Sequence, residues 1–142
     1  MESLDMAGHL IRRLHQQATQ VFVQRTQAAG FDLTSVQFAA LDAIHAHPGT
    51  DQARVAELIA YDRATIGGVI DRLEQKGWIR RVVSERDRRA RELSLTDEGR
   101  QVYRRLLPVV RALQDDILQA LNATDRARFL KLARQAIPAT RT

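Results

Sequence analysis

A strongly basic segment occupies residues 80–96, which read RRVVSERDRRARELSLT and include six arginines and three acids. Guanidinium groups form paired hydrogen bonds with phosphate, so a cluster of this kind is a candidate surface for a polyanion such as DNA. A run of charge more often forms only a solvated face. The elements on either side of the segment therefore have to decide between the two interpretations.

Residues typical of catalysis or metal binding are sparse. The absence of Cys excludes disulfides, Cys zinc sites and a Cys nucleophile. His45 and His47 are alternate residues whose side chains diverge, and we interpret them as the end of a helix rather than a metal pair. The sequence has no nucleophile elbow, phosphate loop, HExxH helix or glycine-rich dinucleotide loop. We therefore expect no enzyme activity, no metal and no cofactor.

Composition sets broad limits on the class of protein. The 142 residues, 44% of them apolar and 27% charged, predict one soluble domain. The net charge of +5 favours polyanionic partners, although a GC-rich genome gives the same excess of Arg. No apolar run approaches the roughly 18 residues of a membrane span, and the N-terminus lacks the features of a secretory signal. The expectation is a cytoplasmic protein with no membrane partner.

Apolar periodicity predicts four helices before the basic segment. Thr34 and Asp62 are predicted N-caps, and Gly30 and Gly77 are predicted to end helices. The predicted helices lie at about 4–29, 34–47, 52–59 and 63–76. The last two, joined by a short turn, follow the helix-turn-helix pattern.

The basic segment itself lies between two predicted strands. Residues 78–83 are apolar and β-branched, and residues 93–96 alternate as a half-buried strand does, so the charged residues form a hairpin tip. Thr96 is the predicted cap of a long helix, which Pro108 should kink or interrupt. Thr124 is the predicted cap of a last helix. The predicted fold class is mainly α with a small β-hairpin wing.

Three stretches resemble the MarR family of bacterial winged-helix transcription regulators. They read DRATIGGVIDRLEQKGWIRR at 62–81, SERDRRARELSLT at 84–96 and TDEGR at 96–100. The resemblance covers essentially the whole chain and implies a single domain, 1–142. In it a winged helix-turn-helix lobe (about 34–96) joins a helical dimerisation base (about 4–29 and 97–137). It also implies a homodimer on palindromic double-stranded DNA. Independently, both terminal helices are strongly apolar, and a chain this short cannot bury them alone.

The resemblance gives the fourth helix and the hairpin separate roles at DNA. The start of a recognition helix normally meets base edges, so Arg63 and Thr65 are the best predicted base readers. In the wing, the family pattern Asp-x-Arg makes Asp87 the residue that holds the hairpin in shape, while the tip arginines enter a minor groove. The full predicted DNA-binding set is Arg63, Ala64, Thr65, Gly67, Gly68, Arg72, Arg86, Asp87, Arg88, Arg89 and Arg91.

Three members of this set have a second interpretation. Gly67 and Gly68 each cost about 1 kcal/mol relative to Ala inside a helix. They either let the backbone approach DNA closely or let the helix pack against its neighbour. Arg72 either contacts DNA or pairs with Asp71, Glu74 or the wing.

The family resemblance also implies control by a small molecule, often an aromatic carboxylate or phenol, bound between base and lobe. In the first helix an Arg and a His border an apolar face, which suits a carboxylate on a flat ring. The alternative is that these cations lie on the surface or in a dimer interface. The predicted ligand-binding residues are Arg12, His15, His9, Phe38, Asp42 and Tyr61.

Two other functions are alternatives to a ligand-responsive repressor. An architectural, sequence-tolerant DNA-binding protein would share the basic wing but would bind all duplexes alike. An enzyme is the more remote alternative, because the acidic pair Asp115-Asp116 is the kind of feature that is usually only solvated.

Overall fold

The helices begin and end at residues whose side chains or backbone angles favour a boundary. The computed structural model describes residues 1–139, so residues 140–142 of the predicted domain lie outside the described residues. A 3₁₀ turn at Glu2–Asp5 precedes the first α-helix. The helices are α1 (Ala7–Ala28), α2 (Ser35–Ala46), α3 (Gln52–Leu58), α4 (Ile66–Gln75), α5 (Asp97–Ile117) and α6 (Ala123–Ala136), and the strands are β1 (Ile79–Val83) and β2 (Arg91–Leu95).

Several predicted boundaries are confirmed by local hydrogen bonds. The Thr34 hydroxyl accepts from the Gln37 amide while the Gln37 side chain accepts from the Thr34 amide, which is a complete capping box. The Thr96 hydroxyl accepts from the amide of Gly99 at 3.0 Å and starts α5. Gly77 follows α4 with a φ of +79°, a conformation that favours glycine.

Two predicted boundaries are wrong. α4 begins at Ile66 rather than at Arg63, because the Asp62 carboxylate accepts from the Ala64 amide and forms a separate turn before the helix. α6 is capped by Asn122, whose side chain accepts from the Asp125 amide at 2.9 Å, and not by Thr124.

The long helix α5 runs without interruption through Pro108, contrary to the prediction. Proline removes one hydrogen bond to the carbonyl group four residues earlier, which here belongs to Arg104. Both residues lie on the exposed face of α5. Water can therefore bind the carbonyl oxygen that lacks an N–H partner, so the helix can continue.

Two hydrophobic clusters form the core. The lobe cluster joins α2, α3, α4 and the hairpin around Leu41, Ile44 and Ile70. The base cluster packs helix α1 against helix α5 around Phe22, Leu106 and Leu113. The half-buried rings of Phe38 and Trp78 pack against both clusters. The junction between lobe and base is therefore made of apolar side chains.

The hairpin is fixed by the pairing of its two strands and by a bridge to the segment before α3. β1 and β2 pair antiparallel, with Ile79 opposite Leu95. On the far side of β2, the Leu93 amide donates to the Thr50 carbonyl at 2.7 Å. At the start of α5, a Cβ on Gly99 would lie 1.9 Å from the Trp78 carbonyl oxygen, so only glycine allows this close approach.

The terminal helices leave much of their apolar surface uncovered. α6 has no buried residue, and α1 buries only Phe22 and Thr26. Ile11 is 64% exposed and Ile137 is 69% exposed, and the other exposed apolar side chains of these helices include Leu10, Leu130 and Leu132. Among the described residues, no helix has the length and apolar character needed to cross a membrane.

Candidate functional site

The predicted base readers lie in the turn that leads into α4. Arg63, Ala64 and Thr65 are all exposed, whereas Ile66 and Ile70 of the following helix are buried in the lobe cluster. The Thr65 hydroxyl donates to the Asp62 carbonyl at 3.2 Å, which orders the turn. The buried stripe thus fixes the helix while leaving the turn free to meet another molecule.

The two glycines of α4 have different surroundings. A Cβ on Gly68 would meet no heavy atom within 4 Å, and the residue is exposed. A Cβ on Gly67 would lie 3.3 Å from the side-chain nitrogen of Gln52, the far end of a flexible side chain. Close packing inside the chain therefore gives no reason for glycine at position 68.

The tip of the hairpin is shaped by Ser84 and Asp87. The buried Ser84 hydroxyl accepts from the amides of Arg86 and Asp87 at 3.2 and 3.3 Å. The Asp87 carboxylate accepts from the amide of Arg89 at 3.0 Å. Reasoning from the sequence missed Ser84, although a serine beside a charged run is a known turn signal because its hydroxyl bonds nearby amides.

The arginines of the tip point into solvent. Arg86, Arg88 and Arg89 are exposed, and none has an ion-pair partner in the part of the chain that the structure describes. At the base of the tip, Arg91 donates to the Arg88 carbonyl at 3.3 Å. The hairpin therefore presents several free cations on a fixed turn.

A salt bridge joins the wing to α4, but it uses Arg81 rather than Arg72. The Arg81 guanidinium pairs with Asp71 and lies 3.7 Å from the Glu74 carboxylate. Arg72 makes no ion pair within residues 1–139, so the pairing considered for it does not form in this chain. Arg81 is the central residue of β1, and its ion pairs with Asp71 and Glu74 show that its side chain points toward α4.

A groove between α1, α2 and α5 brings together two of the predicted ligand-binding residues. It has a volume of about 270 Å³ and is lined by His15 and Phe38 together with apolar side chains that include Phe22, Leu113 and Ile117. A second groove of about 420 Å³, between α1, α5 and α6, shares His15 with the first. We refer to the first as the His15 groove.

The other predicted ligand residues lie outside the His15 groove within one chain. Arg12 is exposed on α1, and His9 is half-buried there with an Nε2 that has no hydrogen-bond partner. Asp42 faces a groove beside α3, and Tyr61 lines another surface near Arg63. Asp42 and Tyr61 therefore do not join His15 and Phe38 in one groove within one chain.

Asp42 instead makes a contact between lobe and base. The Tyr103 hydroxyl of α5 donates to the Asp42 carboxylate of α2 at 2.5 Å. Burial, and after it the hydrogen bond to Asp42, together raise the pKa of Tyr103 to about 12. The Phe38 ring stacks on Tyr103 at 6.0 Å and contacts Phe22 at 6.3 Å, so a continuous aromatic row leads from the His15 groove into the lobe.

Comparison with known proteins identifies the family. The MarR family profile matches residues 31–90. The transcriptional repressor NicR of Pseudomonas putida is 33% identical over 133 residues, which are 94% of this chain and 83% of NicR. The chain belongs to the MarR family. The predicted resemblance is therefore confirmed.

Solved structures of MarR-family regulators confirm the predicted winged-helix fold. The regulator PcaV of Streptomyces coelicolor, solved with its natural ligand, has a TM-score of 0.84 and 35% identity, covering 96% of this chain and 94% of PcaV. BpsR of Bordetella bronchiseptica, whose DNA binding is regulated by 6-hydroxynicotinic acid, has a TM-score of 0.86 and 28% identity, covering 96% of each chain.

Membership of the MarR family gives the hairpin and α4 a functional context. This chain is a winged-helix, DNA-binding transcription regulator, and its relatives are regulators rather than enzymes. Within residues 1–139 no group of three or more His, Cys, Asp or Glu side chains is placed to hold a metal ion. The exposed turn, the bare face of α4 and the arginine tip form the surface suited to DNA.

Proposed function

We propose that this MarR-family protein is a ligand-responsive repressor. It binds a palindromic double-stranded operator as a homodimer and leaves the operator when a small aromatic carboxylate or phenolic compound binds. The observation that carries the proposal is the position of the His15 groove. It is lined by Phe38, which packs against both hydrophobic clusters, so a ligand there touches the junction of lobe and base.

The uncovered apolar faces of the terminal helices support the homodimer. Contiguous exposed apolar surface on a protein without a partner is costly in water and is typical of an interface. A two-fold dimer joins the same patch on both subunits, so residues such as Ile11 and Leu132 become buried together. The same contact covers the part of α1 that carries His9 and Arg12, which brings these two side chains close to the base grooves.

The proposed dimer presents two lobes to the operator. The turn at 63–65 and the face of α4 bearing Gly68 enter the major groove, where Arg63 and Thr65 read base edges. Arg86, Arg88 and Arg89 of each wing reach the adjacent minor groove. Half-sites about 10 bp apart match two such lobes on one face of the duplex.

The chemistry of the His15 groove favours a flat anionic effector. Its walls are largely apolar and aromatic, so a ring can pack against Phe22 and Phe38, and His15 supplies a polar contact at the edge. The regulation of BpsR by 6-hydroxynicotinic acid supports the same class of effector here. Binding shifts the junction residues, which changes the distance between the two lobes and weakens the fit to the operator.

Fluorescence anisotropy of the full chain with duplex DNA tests the repressor. The probe is a duplex from the promoter region of the gene that encodes this protein. It is compared with a scrambled duplex of equal length at physiological salt. A specific regulator binds its own site at least about 10³-fold more tightly. Equal affinity for the two duplexes would instead assign the chain to architectural DNA-binding proteins.

The effector is tested in the same assay with 6-hydroxynicotinate, hydroxybenzoates and cinnamates. An effective compound releases the promoter duplex and raises thermal stability, by about 2.7 kcal/mol at 100 times its dissociation constant. His15→Ala should abolish both effects, whereas His47→Ala, at an exposed position outside the groove, should preserve them. Retention of both effects in the His15 variant would place the effector elsewhere.

A further inference from the structure

A second concave surface lies on the back of the wing. It has a volume of about 400 Å³ and lies where the end of α2, the hairpin and the start of α5 meet. His45, Arg80, Ser94 and Arg100 form its polar rim, and the exposed ring of Pro48 contributes apolar surface. We call it the wing-back groove. It shares no lining residue with the His15 groove.

The rim of the wing-back groove is rich in hydrogen-bond donors. Arg100 is held at the groove because it donates to the Leu95 carbonyl at 3.0 Å. The His45 ring is stacked on Tyr103 with 4.2 Å between ring centroids, so it too has a fixed position. Arg80 has no ion-pair partner among the described residues.

Little negative charge opposes these donors. None of the lining residues is an acid. Asp97 lies 3.5 Å from Arg100, but its side chain is 93% exposed and water screens it strongly. A guanidinium has five N–H donors, so Arg100 can still bind another anion. Glu92 lies on the same side of the hairpin as Ser94 but is not part of the lining.

The wing-back groove faces away from the proposed DNA surface. Successive strand residues point to opposite faces of a sheet. Arg81 points toward α4, since it pairs with Asp71 there, and Arg80 therefore points to the opposite face. DNA phosphates held by α4 and the wing tip would not reach this face, which leaves Arg80 available to another anion.

We propose that the wing-back groove is a second ligand site, for a small carboxylate that carries a flat apolar ring. Its volume lies within the usual range of small-molecule sites, about 300 to 1,000 Å³. The guanidinium groups of Arg80 and Arg100 bind the carboxylate, and the ring packs on the exposed side chains of Pro48 and His45. An inorganic anion would satisfy the arginines but leave that apolar surface in water. A bound ligand contacts α2, the hairpin and α5 together.

The test is a ¹H–¹⁵N NMR titration of the full chain with benzoate, with inorganic phosphate as a parallel probe. A His15→Ala background removes the proposed effector contact at the base, so that the two sites are measured separately. Saturable shifts are expected at the amides of His45, Arg80 and Ser94, with smaller shifts for phosphate. No saturable shift at these amides, or equal affinity for phosphate, would overturn the proposal.

Substitutions assign the shifts to the groove. Arg80→Gln and Arg100→Gln should each weaken benzoate binding about tenfold, as loss of a charge-assisted hydrogen bond does. Arg104→Gln is the matched control, because this exposed arginine lies one turn further along α5 and outside the groove. Binding that survives both groove substitutions would overturn the proposal.

Binding to duplex DNA separates the groove from a DNA contact. The affinity of the Arg80→Gln protein for the promoter duplex should stay close to that of the unsubstituted protein. A loss as large as that caused by Arg89→Ala would assign Arg80 to the DNA surface and overturn the ligand site. All these exposed substitutions should leave the dispersion of the NMR spectrum intact.

Discussion

Substituting Gly68 by Ala should make the protein more stable and a weaker DNA binder. A Cβ at this position meets no heavy atom within 4 Å, so the new methyl group causes no clash in the folded chain. Ala is better than Gly inside a helix by about 1 kcal/mol, and Gly68 lies in α4. We therefore expect the free energy of unfolding to rise by about 0.5 to 1 kcal/mol.

The effect on DNA has the opposite sign. If the backbone of α4 lies close to the duplex, the methyl group enters a packed interface, and overpacking costs about 1 to 3 kcal/mol. That range corresponds to a loss of about 5- to 150-fold in affinity. Gly68 would then lower the stability of α4 and raise the affinity for DNA, as expected of a glycine that serves function rather than folding.

Gly99→Ala provides the contrasting substitution. Its Cβ would lie 1.9 Å from the Trp78 carbonyl oxygen, so the backbone has to move. The movement also strains the hydrogen bond that the Thr96 amide donates to the same oxygen at 3.0 Å. The expected loss of stability is about 2 to 4 kcal/mol, from overpacking and a weakened hydrogen bond.

Urea unfolding at one fixed protein concentration measures both variants, and anisotropy with the promoter duplex measures affinity. A Gly68→Ala protein that is stabilised but binds DNA normally would refute the close approach of α4 to the duplex. A Gly68→Ala protein that is destabilised would refute the open surroundings of position 68.

Three further substitutions test the wing and the contact between lobe and base. Arg89→Ala should weaken binding to all duplexes. It should also make the negative slope of log affinity against log salt less steep by about 0.9. An unchanged slope would mean that Arg89 touches no phosphate. Arg81→Ala should weaken DNA binding by releasing the wing from Asp71, whereas an unchanged affinity would show that the salt bridge does not position the wing. Tyr ionises near pH 10 in the unfolded chain, and the folded pKa of Tyr103 is raised to about 12. Its contribution to stability is therefore complete below pH 10 and is lost as pH rises toward 12. Tyr103→Phe should reduce the fall in unfolding free energy over that window, and an unchanged fall would exclude Tyr103 as its source.

Features that depend on neighbouring residues could be predicted from the sequence. Helix periodicity, the Thr34 and Thr96 caps and the glycine after α4 all act within one turn of chain, so their signals are local. The errors at Thr124 and Pro108 have local causes as well. The Asn122 side chain, two residues before Thr124, accepts from the Asp125 amide and caps α6. Exposure of the Arg104 carbonyl to water allows α5 to continue through Pro108.

The composition of the sites could be predicted only in part. The predicted ligand-binding set included His15, Phe38, Asp42 and Tyr61. Of these four, His15 and Phe38 line one groove, and Asp42 and Tyr61 do not. Asp42 lies on α2 four residues from Phe38, yet it turns to Tyr103 because that hydroxyl comes within hydrogen-bond distance in the folded chain. A contact between residues 61 positions apart leaves no local signal.

By itself, the sequence determined a MarR-type chain of helices with a basic hairpin, because spacing, caps and turn residues act locally. Only the tertiary structure decided which side chains meet. It joined Arg81 rather than Arg72 to the acids of α4, and it gathered His45, Arg80 and Arg100 into one groove. The physical reason is that burial of the lobe cluster fixes which face of each helix and strand is turned to the core, and therefore which side chains are left on the outer faces. That burial depends on contacts between residues far apart in the chain.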